Sequence, residues 1–176
     1  CHSDQGVQKF PWGDWGRKQA QSEWISRVAG DWLGLLRSSG GGLAIVCSPL
    51  SKIYLWTKSP RGTFEPVFPK ITLEPGQSVQ ARVTVVPVSD FTDLADATDD
   101  YLLGFSYVEK VKEFTFQNRL MPISARFATP QKVTVRTQLL DMRRKPLAEL
   151  PAADVTAALD QPPPAFDRAW KAPADG

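Results

Sequence analysis

The stretch "FEPVFPKITLEPGQSVQARVTVVPV", Phe64 to Val88, places a carboxylate, Glu65, directly before a proline. A carboxylate there can act as a catalytic general base, provided a second group handles the partner proton. The chain has a single histidine, His2, near its first residue, so the sequence sets no obvious acid beside Glu65. The competing reading of Glu65 is a solvated carboxylate on the rim of a β-sheet, and the residues around it favour that reading. Glu65 stands as the one catalytic candidate.

The aromatic residues suggest binding chemistry. Trp12, Trp15 and Trp24 crowd the segment "FPWGDWGRKQAQSEW", with Gly13, Gly16 and Lys18 between them. Flat indole faces stack on the C–H faces of sugar rings while neighbouring polar groups bond hydroxyls. Core filling accounts equally for an indole in strand-like phase, and it is the stronger reading for Trp24, Trp32 and Trp56. Trp12 and Trp15 sit among glycines, where loop presentation and burial are evenly matched. Trp12, Trp15, Lys18 and Trp24 form the candidate ligand-binding set, with carbohydrate as the expected partner.

Other site chemistry finds less support. Asp90, Asp93, Asp96, Asp99 and Asp100 could offer oxygens to Ca²⁺, but their spacing lacks the alternation and the glycine of a calcium loop. Caps and solvated loops explain them better. Adjacent Asp99 and Asp100 do not establish the carboxyl separation that glycoside hydrolysis needs. Ser38 to Gly42 reads as a turn and not a phosphate loop, since no Gly-Lys-Ser/Thr follows. No Cys/His cluster has metal-ligand spacing, and neither a metal nor a cofactor is expected.

The elements that must carry these residues are strands. In a chain of 176 residues, 42% hydrophobic content is enough to bury a core. Twenty-one basic residues against 19 acidic ones leave +2, with both signs scattered, so nucleic acid and anionic membrane surfaces are not expected partners. The longest apolar runs fall well short of a membrane span. Two-residue alternation dominates. From Ser78 to Val85 the apolar positions Val79, Ala81, Val83 and Val85 are predicted to face a core, with Ser78, Gln80, Arg82 and Thr84 outward. "EPGQ" predicts a type II turn at Pro75 and Gly76. "WLGLL", "LAIVC", "KIYLWT", "PISARFA" and "KVTVRTQLL" read as further strands, the last with Val133, Val135, Thr137 and Leu139 on one face. Helix is predicted only for "SDFTDLADATDDYLL", with Ser89 or Asp90 as N-cap, and for "PAADVTAALD". The fold class is mainly β, an antiparallel β-sandwich with a second, smaller β unit.

The order "WLGLLRSSGGGLAIV", "YLWT" and "FEPVFPKITLEPGQSVQARVTVVPV" resembles the closing strands of galactose mutarotase-like β-supersandwich domains, over roughly residues 22–88. "KVTVRTQLLDMRRKPLAEL" resembles an immunoglobulin-like strand pair. The resemblance implies a supersandwich portion over 1–105, an immunoglobulin-like segment over 106–160 and a Pro/Ala-rich tail over 161–176, read as an extended linker. It also implies a carbohydrate setting, and the family's epimerases use a glutamate as base, which would give that role to Glu65.

Cys1 in first position has two readings, a mature lipoprotein beginning at its lipidated cysteine or a piece of a longer chain. A secreted, periplasmic or cell-envelope location is expected, beside neighbouring domains. Cys47, in "LAIVCS", reads as a buried inert thiol, and a disulfide to Cys1 stays open. The preferred function is a noncatalytic carbohydrate-associated module. The alternatives are part of a sugar-active enzyme using Glu65, either epimerase-like or polysaccharide-cleaving, and a purely structural module.

Overall fold

A computed structural model describes residues 2–3, 6–7, 21–26, 28–37, 40–58, 61–89, 91–141 and 145–172. Among them the chain is nearly all strand: β1 (His2–Ser3), β2 (Gly6–Val7), β3 (Gln21–Ile25), β4 (Trp32–Leu36), β5 (Gly42–Ser48), β6 (Lys52–Lys58), β7 (Arg61–Val67), β8 (Arg82–Val88), β9 (Leu94–Ala97), β10 (Tyr101–Lys110), β11 (Glu113–Pro122), β12 (Gln131–Leu140), β13 (Pro146–Ala157) and β14 (Ala165–Lys171). One 3-10 turn, Ala125–Phe127, is the sole helical element among the described residues. The chain divides into two compact units, the first holding 1–35, 42–88 and 95–98 and the second holding 36–41, 89–94 and 99–176.

The first unit is built from two sheets, ordered β3-β6-β7 and β4-β5-β8, beside the short β1-β2 pair. Alternation supplies the inward side chains. Ile25 of β3, Ile53 and Leu55 of β6 and Phe64 of β7 meet Leu33 of β4 and Ile45 and Cys47 of β5 in one apolar cluster. Trp32, which the sequence assigns to the core, is 1% exposed. Asp31 braces the turn after β5: its carbonyl accepts the Cys47 N–H at 2.7 Å and its carboxylate the Leu50 N–H at 3.0 Å.

In the second unit β14, β11 and β10 lie side by side and antiparallel, and β12 pairs with β13. Leu120 and Phe166 pack with Val133, Val155, Ala157 and Phe127 between the two layers. Val135 is buried, Val133, Thr137 and Leu139 are half-buried, and Lys132, Thr134, Arg136 and Gln138 are exposed, so this strand has the phase its alternation predicts. The buried Arg168 guanidinium donates to the Val135 carbonyl at 3.3 Å and lies 5.2 Å from the Phe166 ring, and burial pulls its pKa down.

Several expectations are corrected. The strand predicted from Ser78 begins at Arg82, and Val83 and Val85 are 50% and 54% exposed. They lie opposite Cys47 and Ile45 on the core-facing side, but β8 is an edge strand, and parity alone does not say how far the covering layer reaches. Residues 68–81 form an exposed extended arm instead of a strand, turned where predicted: Gly76 has φ +84° and the Gln77 N–H donates to the Glu74 carbonyl at 2.9 Å. Neither predicted helix forms. "SDFTDLADATDDYLL" runs into β9 and β10, and "PAADVTAALD" supplies most of β13, because β-sheet pairing overrides the modest helical preference of alanine-rich sequence. "PISARFA" breaks at Pro122 into the 3-10 turn. The tail contributes β14, whose Phe166, Arg168 and Trp170 alternate with exposed Ala165, Asp167, Ala169 and Lys171.

Two contacts in the second unit make measurable demands. A Cβ on Gly104 would collide with the ring of Phe91, which is buried against the bare backbone. Gly104→Ala is expected to lower the unfolding free energy by about 1–3 kcal/mol through overpacking, and the same change in a Phe91→Ala background is expected to cost far less, as chemical denaturation of the four proteins will measure. Asp100 accepts from the Ser124 hydroxyl at 2.7 Å and from Arg126 at 3.2 Å, and these hydrogen bonds hold its carboxyl below the usual 3.8. A depressed folded pKa gives stability that is present above the unfolded value and lost as pH falls through the folded one. Asp100→Asn is therefore expected to flatten the acid limb of the stability profile below pH 3.8 and to leave a constant deficit above it.

Candidate functional site

The sheet β3-β6-β7 commits alternate residues to opposite faces. Ile25, Ile53, Leu55 and Phe64 take the core, so their neighbours take the outside. Across the three strands Trp24 lies opposite Tyr54, and Tyr54 lies opposite Glu65. The next row holds Ser22, Trp56 and Thr63. Trp24 is 57% exposed, Ser22, Thr63 and Glu65 are exposed, and Tyr54 and Trp56 are half-buried. The outer face of this sheet is thus an aromatic strip with a carboxylate at one side.

The geometry within the strip is specific. The Trp24 and Tyr54 rings are 4.7 Å apart between centroids and tilted by 39°, a separation at which cross-strand aromatic pairs attract. The Thr63 hydroxyl donates to Glu65 Oε1 at 3.2 Å, which steadies the carboxylate along the strand while leaving it open to solvent. An exposed aromatic ring beside a hydrogen-bonded acceptor can stack one face of a sugar ring and bond its hydroxyls.

Of the sequence-derived candidates, the structure brings Trp24 and Glu65 onto one face. Trp12, Trp15 and Lys18 lie outside the described residues. The core reading of Trp24 is corrected, since the pairing of Ile25 with Ile53 turns Trp24 outward. Trp56, which the sequence reads as core, is half-buried and shares this outer face, and so does Tyr54, which the sequence does not single out. Their signal is the alternation in "KIYLWT": with Ile53 and Leu55 inward, Tyr54 and Trp56 must face the other way. The two rows described contain no carboxylate or histidine besides Glu65.

The remaining features take structural roles. The Asp93 and Asp96 carboxylates accept the N–H of the following residue, each at 2.9 Å, and among the described residues no three His, Cys, Asp or Glu side chains group as metal ligands. A second aromatic run, Phe105, Phe116, Phe114 and Trp170, with successive centroids 5.8, 6.4 and 5.6 Å apart, lies on the side of its sheet that carries buried Leu120 and Arg168 and reads as packing. A cavity of about 230 Å³ in the second unit, between Met121 and Leu159, has Arg119 as its one titratable lining group. That is fewer convergent polar groups than a small-molecule site presents. Compared with protein-family models, with curated proteins and with solved structures, the chain matches none.

Cys47 is a free thiol, fully buried in the core of the first unit. Burial, and secondarily the negative charge of Asp31, pushes its pKa up. The nucleophile is the thiolate, so in a Cys1→Ser background a thiol reagent at neutral pH is expected to leave Cys47 unmodified until denaturant is added. Rapid labelling of the native protein would contradict this placement.

Proposed function

We propose that the chain is a noncatalytic carbohydrate-binding β-module whose contact surface is the outer face of β3-β6-β7. The observation that carries the reading is the row of Trp24, Tyr54 and Glu65, which combines two aromatic rings and an ordered carboxylate on an exposed, rigid sheet. Stacking rings on a sheet are held by the backbone, so little conformational entropy is lost when a ligand docks. The chain's resemblance to a carbohydrate-associated β-supersandwich points the same way. Epimerisation or bond cleavage would need a proton donor paired with Glu65, and the two rows around it hold no second carboxylate or histidine, only the Tyr54 phenol opposite Glu65.

A panel of soluble polysaccharides and oligosaccharides, titrated while Trp fluorescence is followed, tests this reading. At least one glycan is expected to quench the emission. Trp24→Ala is expected to weaken that binding roughly three- to tenfold, the equivalent of about 0.5–1.5 kcal/mol for one aromatic stack. Glu65→Gln keeps the shape and one acceptor and should alter affinity less. Sugar turnover lost in Glu65→Gln would instead support the enzyme reading, and a folded protein inert to the whole panel would leave a structural module.

A further inference from the structure

The outer side of β8 is an open sheet edge: the order β4-β5-β8 ends there, and no strand among the described residues pairs beyond it. Proline fixes which backbone groups face that edge. Pro87 lies opposite Leu43 in the β5-β8 ladder. Lacking an N–H, it is accommodated at a non-hydrogen-bonded position, its nitrogen turned away from β5. Residues of the same parity share that direction. Val83 and Val85 therefore direct N–H and C=O groups toward the open edge, while Thr84 and Val86 bond inward to Val46 and Ala44. The same two valines are 50% and 54% exposed, and Val79 in the preceding arm is 54% exposed. An apolar edge with free backbone groups is a template for another strand.

From this edge we propose that the chain self-associates through antiparallel pairing of β8 with β8 of a second copy, on a two-fold axis at Thr84. The edge is self-complementary in that register alone. Centring on Thr84 sets Val83 opposite Val85 of the copy, so all four outward groups of each strand pair, and the valines cover one another. It also sets Thr84 against Thr84, a favourable cross-strand pair, and Arg82 against Val86. Centring on Arg82 would oppose two arginines, and centring on Val86 would put Pro87 where a donor is required. Centring on Val85 would set Val83 against Pro87, which has no N–H to give, and centring on Val83 would set Val85 against Ala81, which lies outside β8. The segment Arg82–Val86 carries one charge and no acidic residue, so the interface needs no oppositely charged partner. A strand pair this short makes a weak, concentration-dependent dimer.

Sedimentation velocity from micromolar to near-millimolar concentration tests the proposal in a Cys1→Ser background. The mass is expected to rise toward that of two chains. Val85→Lys places a charge on the pairing face at an exposed position and is expected to hold the mass at one chain with unchanged circular dichroism and melting. Thr84→Cys supplies an independent readout. The opposed pair brings the two Cα atoms to about 4.5 Å, within disulfide reach, so mild oxidation is expected to give a reducible covalent dimer. A mass independent of concentration with no Thr84→Cys cross-link overturns the proposal. So does association that survives Val85→Lys, or a chain that stays single while pairing with an added valine-alternating peptide strand, which would make the edge a site for a foreign strand.

Discussion

Everything distinctive about the first unit depends on the inward commitment of four side chains, Ile25, Ile53, Leu55 and Phe64. A strand has two faces and a period of two, so each residue placed in the core dictates that its neighbours leave it. Once those four are inside, Trp24, Tyr54, Trp56 and Glu65 have no other place than the outer face. The aromatic strip is thus a consequence of core packing and is as rigid as the core that orders it. A one-residue slip of β3 would send Trp24 inward and Ile25 to solvent, at the cost of about 1.5–3 kcal/mol for an exposed isoleucine, before any effect on Trp24.

The second constraint concerns what each sheet does with its edges. β7 is an edge of its sheet and carries Pro66, and β8 is an edge carrying Pro87. Proline at an edge limits the run of donors a foreign strand could use. On β8 the protection is incomplete, because among the described residues no strand pairs along the outer side of the two valines upstream of Pro87, and their side chains are exposed. The aromatic strip lies on a sheet face and the valine edge on the rim of the other sheet, so the two proposed surfaces use different parts of the unit.

The sequence carries the fold class in its alternation, and where a segment is covered on one side the phase is readable too. β12 is the clear case, with Val133 and Val135 inward and Lys132 and Thr134 outward. The same pattern from Val79 to Val85 misleads, because its apolar face points toward the core side yet extends past what covers it. The alanines of "PAADVTAALD" read as helix because local propensity cannot register that Val155 and Ala157 meet Val133 and Gln131 across a ladder. Of the candidate site, Glu65 and Trp24 are visible as single residues. Their assembly through Tyr54 is not, since the registers of β3 with β6 and of β6 with β7 are long-range facts. Trp24 itself looks like core until the neighbouring Ile25 is known to occupy it.

The register of β3-β6-β7 is the claim on which the proposed binding surface stands, and a nuclear Overhauser spectrum of the free protein reads it directly. Contacts from the Trp24 ring to the Tyr54 ring and from Tyr54 to the Glu65 side chain, together with contacts of Ile25 methyls to Ile53 and Leu33, are the expected result. Trp24 ring contacts to the methyls of Leu33, Ile45 or Ile53 would place the indole in the core and contradict the account.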